Sequence, residues 1–263
     1  MKHNYHTHTT RCLHAVGSDE AYVQAAMEGG FCELGFADHM PWNYPDGFVS
    51  GCRMTMAELP DYLRSIEDLK ARYAGQIEIH TGFEGEYVPG AKEHYLRLKD
   101  MGVEYFILGQ HTLVLESPVS VYTPHACREE DNVLRYADRL TEGIATGLFT
   151  YVCHPDVCLG QRRGPDDFTP ACERAADMIC QAAREYNLPL EYNLLGLGDE
   201  LEGHQRGYPS QAFWQYARKY DNDVILGVDA HSPAHLTDQR RWDVGVQRVK
   251  AMGYRLLDKV TID

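Results

Sequence analysis

No apolar run in this chain approaches the roughly 20 residues a helix needs to cross a bilayer, so a membrane-spanning role is not expected. The opening MKHNYHTHTT has no basic segment followed by an apolar one, and a secretory leader is not expected either. Basic residues are in deficit: 25 Lys and Arg against 39 Asp and Glu leave a formal net charge of −14. Phosphate backbones are gripped by basic patches, so this balance argues against nucleic acid as a partner. It leaves a small phosphorylated substrate open, because bound metal ions reverse the local field. The eight cysteines include no Cys-x-x-Cys, and without a leader they read as reduced thiols of a cytoplasmic protein. Cys32 and Cys153, in or beside apolar runs, read as small core residues. Linkers and low-complexity tracts are also missing, so residues 1–263 read as one domain.

Strand-like runs are present at 3–6, 33–37, 77–83, 105–108, 150–153, 190–193 and 224–228. Between them lie helix-like stretches at 18–28, 56–73, 91–101, 132–146, 170–186, 210–220 and 244–252. The first opens on Ser18, a capping-type residue followed by acids. The second repeats Leu59, Tyr62, Leu63, Ile66, Leu69 and Tyr73 at the three-four spacing of one helix face. This alternation implies a parallel sheet, as either a doubly wound sheet or a seven-unit barrel. Residues 41–52 and 117–127 read as long loops of the kind that shape pockets.

Seven histidines and two acids follow the apolar runs: His6, His8, His14, His39, Glu84, His111, His154, Asp229 and His231. His6/His8 and Asp229/His231 are i, i+2 pairs, and on a strand such residues share a face. Adjacent imidazoles repel when protonated, and a carboxylate such as Glu84 after Thr81-Gly82-Phe83 is costly to bury unless paired or metal-bound. One metal site explains all nine. Imidazole and carboxylate in this proportion suit Zn, Fe or Mn, and a shared carboxylate can bridge two ions. An open sheet gathers only the strands at its switch point, whereas a barrel gathers every strand at its C-terminal mouth. The expected fold is therefore a (β/α)7-type barrel with metal-assisted hydrolysis at its mouth. Cys12 lies near the first ligands, and a metal role for it is a minor alternative to simple packing.

The order HTHTTRCLH, ADH, GFE, LGQH, CHPD and DAH resembles the PHP (polymerase and histidinol phosphatase) superfamily over essentially the whole chain. Arg53-Met54, Tyr62, Leu69-Lys70 and Tyr73 running into IEIHTGFEGEY, with LEYNLLGL and GYPS, resemble its Gram-positive histidinol-phosphate phosphatase type. The resemblance implies a distorted (β/α)7 barrel and three divalent ions, of Zn, Mn or Fe. It implies a first ion on His6, His8, Glu84 and Asp229, and a second on Glu84, His111 and His154. The third would take His14, His39 and His231, and a metal-bridging hydroxide held by Glu84 and Asp229 would be the nucleophile. The implied activity is hydrolysis of L-histidinol phosphate, a step of histidine biosynthesis.

A phosphate dianion calls for an arginine fork, and Arg162, Arg163 and Arg206 are the candidates. Asp38 and Glu86 are candidate partners that orient ligand imidazoles, Asp38 the weaker because it faces away from His39 on a regular strand. The chain departs from the family pattern at Asn193-Leu194-Leu195-Gly196, where Asn-Thr-Ser-Gly is usual, at Val228, and at LGQHTLVLE around His111. These departures remove no metal ligand but leave another small phosphate ester as an alternative substrate; the superfamily also leaves a non-catalytic metal-binding PHP domain, and the barrel alone a metal-dependent amidohydrolase. No oligomeric state follows from these residues.

Overall fold

In the computed structural model, which describes residues 1–44, 46–162 and 167–262, each expected strand is present, those at 105–108 and 190–193 with the expected bounds and the others with ends shifted by one or two residues. The strands are β1 (Lys2–Asn4), β2 (Phe31–His39), β3 (Glu78–Gly85), β4 (Tyr105–Leu108), β5 (Tyr151–Val152), β6 (Leu190–Asn193) and β7 (Asp223–Gly227). Each pairs in parallel with the next. An eighth, β8 (Arg255–Leu256), lies beside β7. Two residues are too few for an alternation to show in the sequence.

The curled sheet is a distorted (β/α) barrel, and its two ends are joined differently above and below. At the C-terminal mouth Thr7 bridges to Ala230 in parallel. Ala230 N donates to the His6 carbonyl at 3.1 Å and His8 N to the Ala230 carbonyl at 2.9 Å. The extensions of β1 and β7 thus meet, and the ring at the mouth has seven members, as the spacing of the repeats predicts. At the opposite end β8 pairs with the start of β7, and the His3 ring meets the Asp258 carbonyl at 2.7 Å.

Ten α-helices occur among the described residues: α1 (Asp19–Glu28), α2 (Leu59–Arg72), α3 (Lys92–Asp100), α4 (Thr123–Ala126), α5 (Glu130–Ile144), α6 (Pro170–Glu185), α7 (Leu194–Leu201), α8 (Gln211–Ala217), α9 (Pro233–Thr237) and α10 (Gln239–Ala251). Ser18 caps α1 by accepting from Ala21 N, as expected. The periodic face of α2 is buried at Leu59, Tyr62, Ile66 and Leu69, and each such side chain contributes roughly 1.5–3 kcal/mol. Helices α4, α7 and α9 were not expected. Two are very short, and α7 reads LLGLGDEL, where two glycines and a continuous apolar start hide any amphipathic period. None of the described helices is long and apolar enough to cross a membrane.

Most of the core lies between helices and sheet. A smaller cluster fills the barrel: Tyr5, Ala37, Tyr105, Ile107, Tyr151, Cys153 and Ile225, with Val260 and Ile262 packed against it. Tyr105 crosses this interior, its hydroxyl reaching the carbonyls of Tyr5 at 2.8 Å and Phe36 at 3.1 Å. A Cβ on Gly35 or Gly82 would overlap the Tyr105 side chain, so the facing strands have glycine where the ring passes. Gly82→Ala should therefore destabilise the fold by roughly 1–3 kcal/mol, the usual range for overpacking. Thermal unfolding followed by circular dichroism checks this, and an unchanged midpoint would mean that Tyr105 yields without loss.

Candidate metal centre

All nine predicted residues meet at the mouth, and Glu84 is at their centre. One carboxylate oxygen, Oε2, has His39 Nδ1 at 2.9 Å, His8 Nε2 at 3.6 Å and His6 Nε2 at 3.7 Å. The other, Oε1, has His154 Nε2 at 2.7 Å and His111 Nε2 at 3.3 Å. Asp229 Oδ1 faces the same space, 3.2 Å from His8 Nε2, 3.4 Å from His6 Nε2 and 3.3 Å from His231 Nδ1. His14 closes the far side, its ring 4.8 Å from that of His231 and 5.4 Å from that of His39. A Cβ on Gly109 would overlap the Glu84 carboxylate, so a glycine there is what lets the acid sit so deep.

The aim of two ligands is not that of a regular strand. Asp229 has φ 52° and His154 φ 28°, both in the left-handed region that a side chain with a Cβ disfavours. Such backbone costs on the order of 1–3 kcal/mol per residue and persists where the surroundings hold it. The Asp229/His231 pair therefore converges through a kink just past β7, not through the strand alternation that the i, i+2 spacing suggests.

The donor set fits divalent cations. His6 Nε2, His8 Nε2, His39 Nδ1, Glu84 Oε2 and Asp229 Oδ1 are buried and have no hydrogen-bond partner. An unsatisfied buried polar group costs about 1–3 kcal/mol, so five in one space imply something that binds lone pairs. Protons cannot serve them all. Burial lowers the basicity of His6, yet the charges of Glu191, Asp229 and Glu84 push it up to about 10. Burial and the neighbouring His8 push His231 down to about 3, and burial holds His39 well below the usual imidazole range. Donor atoms within 4.8 Å of one another form the groups His6–His8–Asp229, His8–His39–Glu84, His14–His39–His231, His6–Glu84–Cys153–His154 and His8–Cys12–His231. Cys153, read from sequence as a core residue, is buried in the barrel and also touches Glu84 Oε1 at 3.3 Å.

The PHP domain family model matches residues 4–194, more than half of the chain. The chain belongs to the PHP domain family. It is 31% identical over 257 residues to the histidinol-phosphatase of Bacillus subtilis, with 88% of this chain and 94% of that one covered. It is 28% identical over 237 residues to a Deinococcus radiodurans protein named "Probable histidinol-phosphatase", with 88% and 86% covered. The fold is similar to that of histidinol phosphate phosphatase from Lactococcus lactis, solved in complex with zinc, L-histidinol and phosphate. The TM-score is 0.70 and the identity 18%, with 99% of this chain and 98% of that one covered.

Behind the ligands of this PHP chain stands a layer of acids and amides. Glu191 Oε2 meets His6 Nδ1 at 2.8 Å, which leaves Nε2 to face the cluster. Asn193 Nδ2 donates to Glu191 Oε1 at 2.8 Å and to Asp229 Oδ2 at 3.0 Å, fixing both acids. Glu191 was missed from sequence; the available signal was an acid inside an apolar strand, two residues before an amide on the same face. Asp38 does orient an imidazole, but that of His8, with Oδ1 3.5 Å from Nδ1. Its other oxygen accepts from Thr9 N and the Thr9 hydroxyl. Glu86 accepts from His111 N at 3.0 Å and lies 3.5 Å from His111 Nδ1, with buried Arg53 behind it at 3.6 Å.

Arg162 and Arg206 line one cavity. The Arg162 guanidinium is committed to the carbonyls of Cys127 and Arg128 at 3.0 Å and of Asp167 at 3.3 Å. Arg163 lies outside the described residues. Arg206 pairs with Asp199 and interacts with the hydroxyl of Tyr208, whose ring centroid is 6.0 Å from that of His154. Leu194, at the departure from Asn-Thr-Ser-Gly, is buried and faces Gly245 of α10. Glu191→Gln keeps size but weakens the charge-assisted bond to His6, and should lower metal affinity about 10- to 100-fold. Chelator competition on zinc-loaded protein measures it; unaltered affinity would show that His6 needs no such partner.

Proposed function

We propose that this chain is a metal-dependent phosphomonoesterase that hydrolyses L-histidinol phosphate to L-histidinol and phosphate. The observation that carries this is the single buried carboxylate of Glu84, with three imidazoles on one oxygen and two on the other. The three expected cation positions adjoin it, and converging positive charge suits a phosphate dianion better than a neutral amide. The names of the curated relatives supply the substrate.

In this reading His6, His8, Glu84 and Asp229 hold one ion, Glu84, His111 and His154 a second, and His14, His39 and His231 a third. The ions would supply Lewis acidity, making water nucleophilic near neutral pH and offsetting phosphate charge. The protein's own part is positional. Glu191 and Asn193 set His6 and Asp229, Asp38 sets His8, and Glu86 sets His111. Arg206, which interacts with Tyr208 beside His154, is the phosphate fork, and it must leave Asp199 to act. Residues 1–263 work as one unit, since ligands come from both ends of the chain.

Phosphate release from L-histidinol phosphate with Mn or Zn should proceed at kcat/KM of about 10⁴ M⁻¹s⁻¹ or more, well above other monoesters; uniformly slow turnover would retire this substrate. Glu84→Ala should abolish turnover and cut bound metal by elemental analysis, so normal metal content in that variant contradicts the shared carboxylate. Arg206→Ala should raise KM for phosphate esters roughly tenfold, equivalent to about 1.4 kcal/mol, with metal content unchanged. An unaltered KM removes Arg206 from the phosphate site.

A further inference from the structure

Two tyrosine rings stand against candidate ligands at the rim of the cluster. Tyr122 lies nearly parallel to His111, at 14° and 6.0 Å, and Tyr208 is inclined to His154 at 62° and 6.0 Å. Each ring therefore stands beside a different ligand of the Glu84 carboxylate, and Arg206 interacts with the Tyr208 hydroxyl. Tyr208 is buried, whereas Tyr122 keeps 42% of its surface exposed and open to a ligand.

The loop that carries the ring is tied down on both sides of it. Thr123 N donates to the His111 carbonyl at 2.7 Å, tying the next residue to a ligand. Upstream, Glu116 accepts from Arg53 Nε at 2.8 Å, Tyr44 OH at 3.0 Å and Ser50 Oγ at 2.9 Å, which binds this loop to the other long loop. A rigid aromatic face needs little ordering when a ligand packs on it. Val121, the residue before Tyr122, is also exposed.

We infer that Tyr122 is a specificity-determining residue, whose ring packs against the leaving group and selects ring-bearing phosphate monoesters over ring-free ones. The inference rests on the phosphomonoesterase reading above. The phosphate end of a substrate goes to the cluster and Arg206, and the end pointing outward meets the Tyr122 face. Stacking on such a face accounts for roughly a 3- to 10-fold preference.

The experiment measures kcat and KM of wild type, Tyr122→Phe and Tyr122→Ala on L-histidinol phosphate, phenyl phosphate and 2-aminoethyl phosphate, with bound metal assayed in parallel. Tyr122→Ala should raise KM for the two ring-bearing esters about 3- to 10-fold with kcat nearly unchanged. It should leave 2-aminoethyl phosphate and metal content unaffected, and Tyr122→Phe should behave as wild type. Equal losses on all three esters, no loss on any, or a Phe variant as impaired as the Ala variant would each overturn the inference. The pathway reading fails separately, if wild type prefers phenyl phosphate to L-histidinol phosphate; the ratio of phenyl to aminoethyl ester still judges Tyr122. Were no ester turned over, the relative affinity for phenylphosphonate and methylphosphonate, by calorimetry, gives the same ratio without chemistry.

Discussion

A carboxylate buried to about 1% exposure among five imidazoles is an unstable arrangement in isolation, and the rest of the barrel is organised to hold it. Glu84 reaches this position because β3 is flanked on both sides, with His39 in register beside it on β2 and Ile107 on β4. Gly109 leaves the space that its carboxylate fills. Burial alone would drive the proton back onto Glu84, yet the surrounding imidazoles hold the acid well below the usual carboxylate range. The cluster is thus a set of mutual constraints, in which each ligand is tolerable only because the others are there.

Two further layers keep those constraints rigid. Below the cluster the barrel interior is packed solid by Tyr5, Tyr105, Tyr151 and their neighbours, so the ligands rest on a floor and not over a channel. Around it, Glu191, Asn193, Asp38 and Glu86 each fix the far side of a ligand, and Arg53 neutralises Glu86 and Glu116 together. That second arginine contact ties the site's outer layer to both long loops. The backbone strain at His154 and Asp229 is held in place by the same network.

The ligands were legible in the sequence because histidine and acid are rare choices at the ends of apolar strands, and seven repeats were legible because strands and helices differ in period. Other features left weaker traces. Glu191 looks like any acid until its strand is known to be buried on both faces, and Asp38 appeared misdirected until β1 was placed alongside β2. Ala37 N donates to the Thr7 carbonyl at 2.8 Å, and that contact brings His8 within reach of Asp38. The kinks at His154 and Asp229 and the short β8 have no compositional signature. The carbonyl contacts of Arg162 left no trace either, because an arginine near a ligand motif is as able to bind backbone carbonyls as a phosphate.

The bridge between Thr7 and Ala230 has a consequence for biosynthesis of the chain itself. It joins residues more than two hundred positions apart, and the ligand pairs His6/His8 and Asp229/His231 lie directly beside it. On the ribosome, His6 and His8 emerge more than two hundred residues ahead of Asp229. Until then the early histidines lack their carboxylate partner and the ring has no seventh member. The first ligand group therefore comes into existence only once β7 and the residues just after it have been made, and a chain that stops before them is left without it.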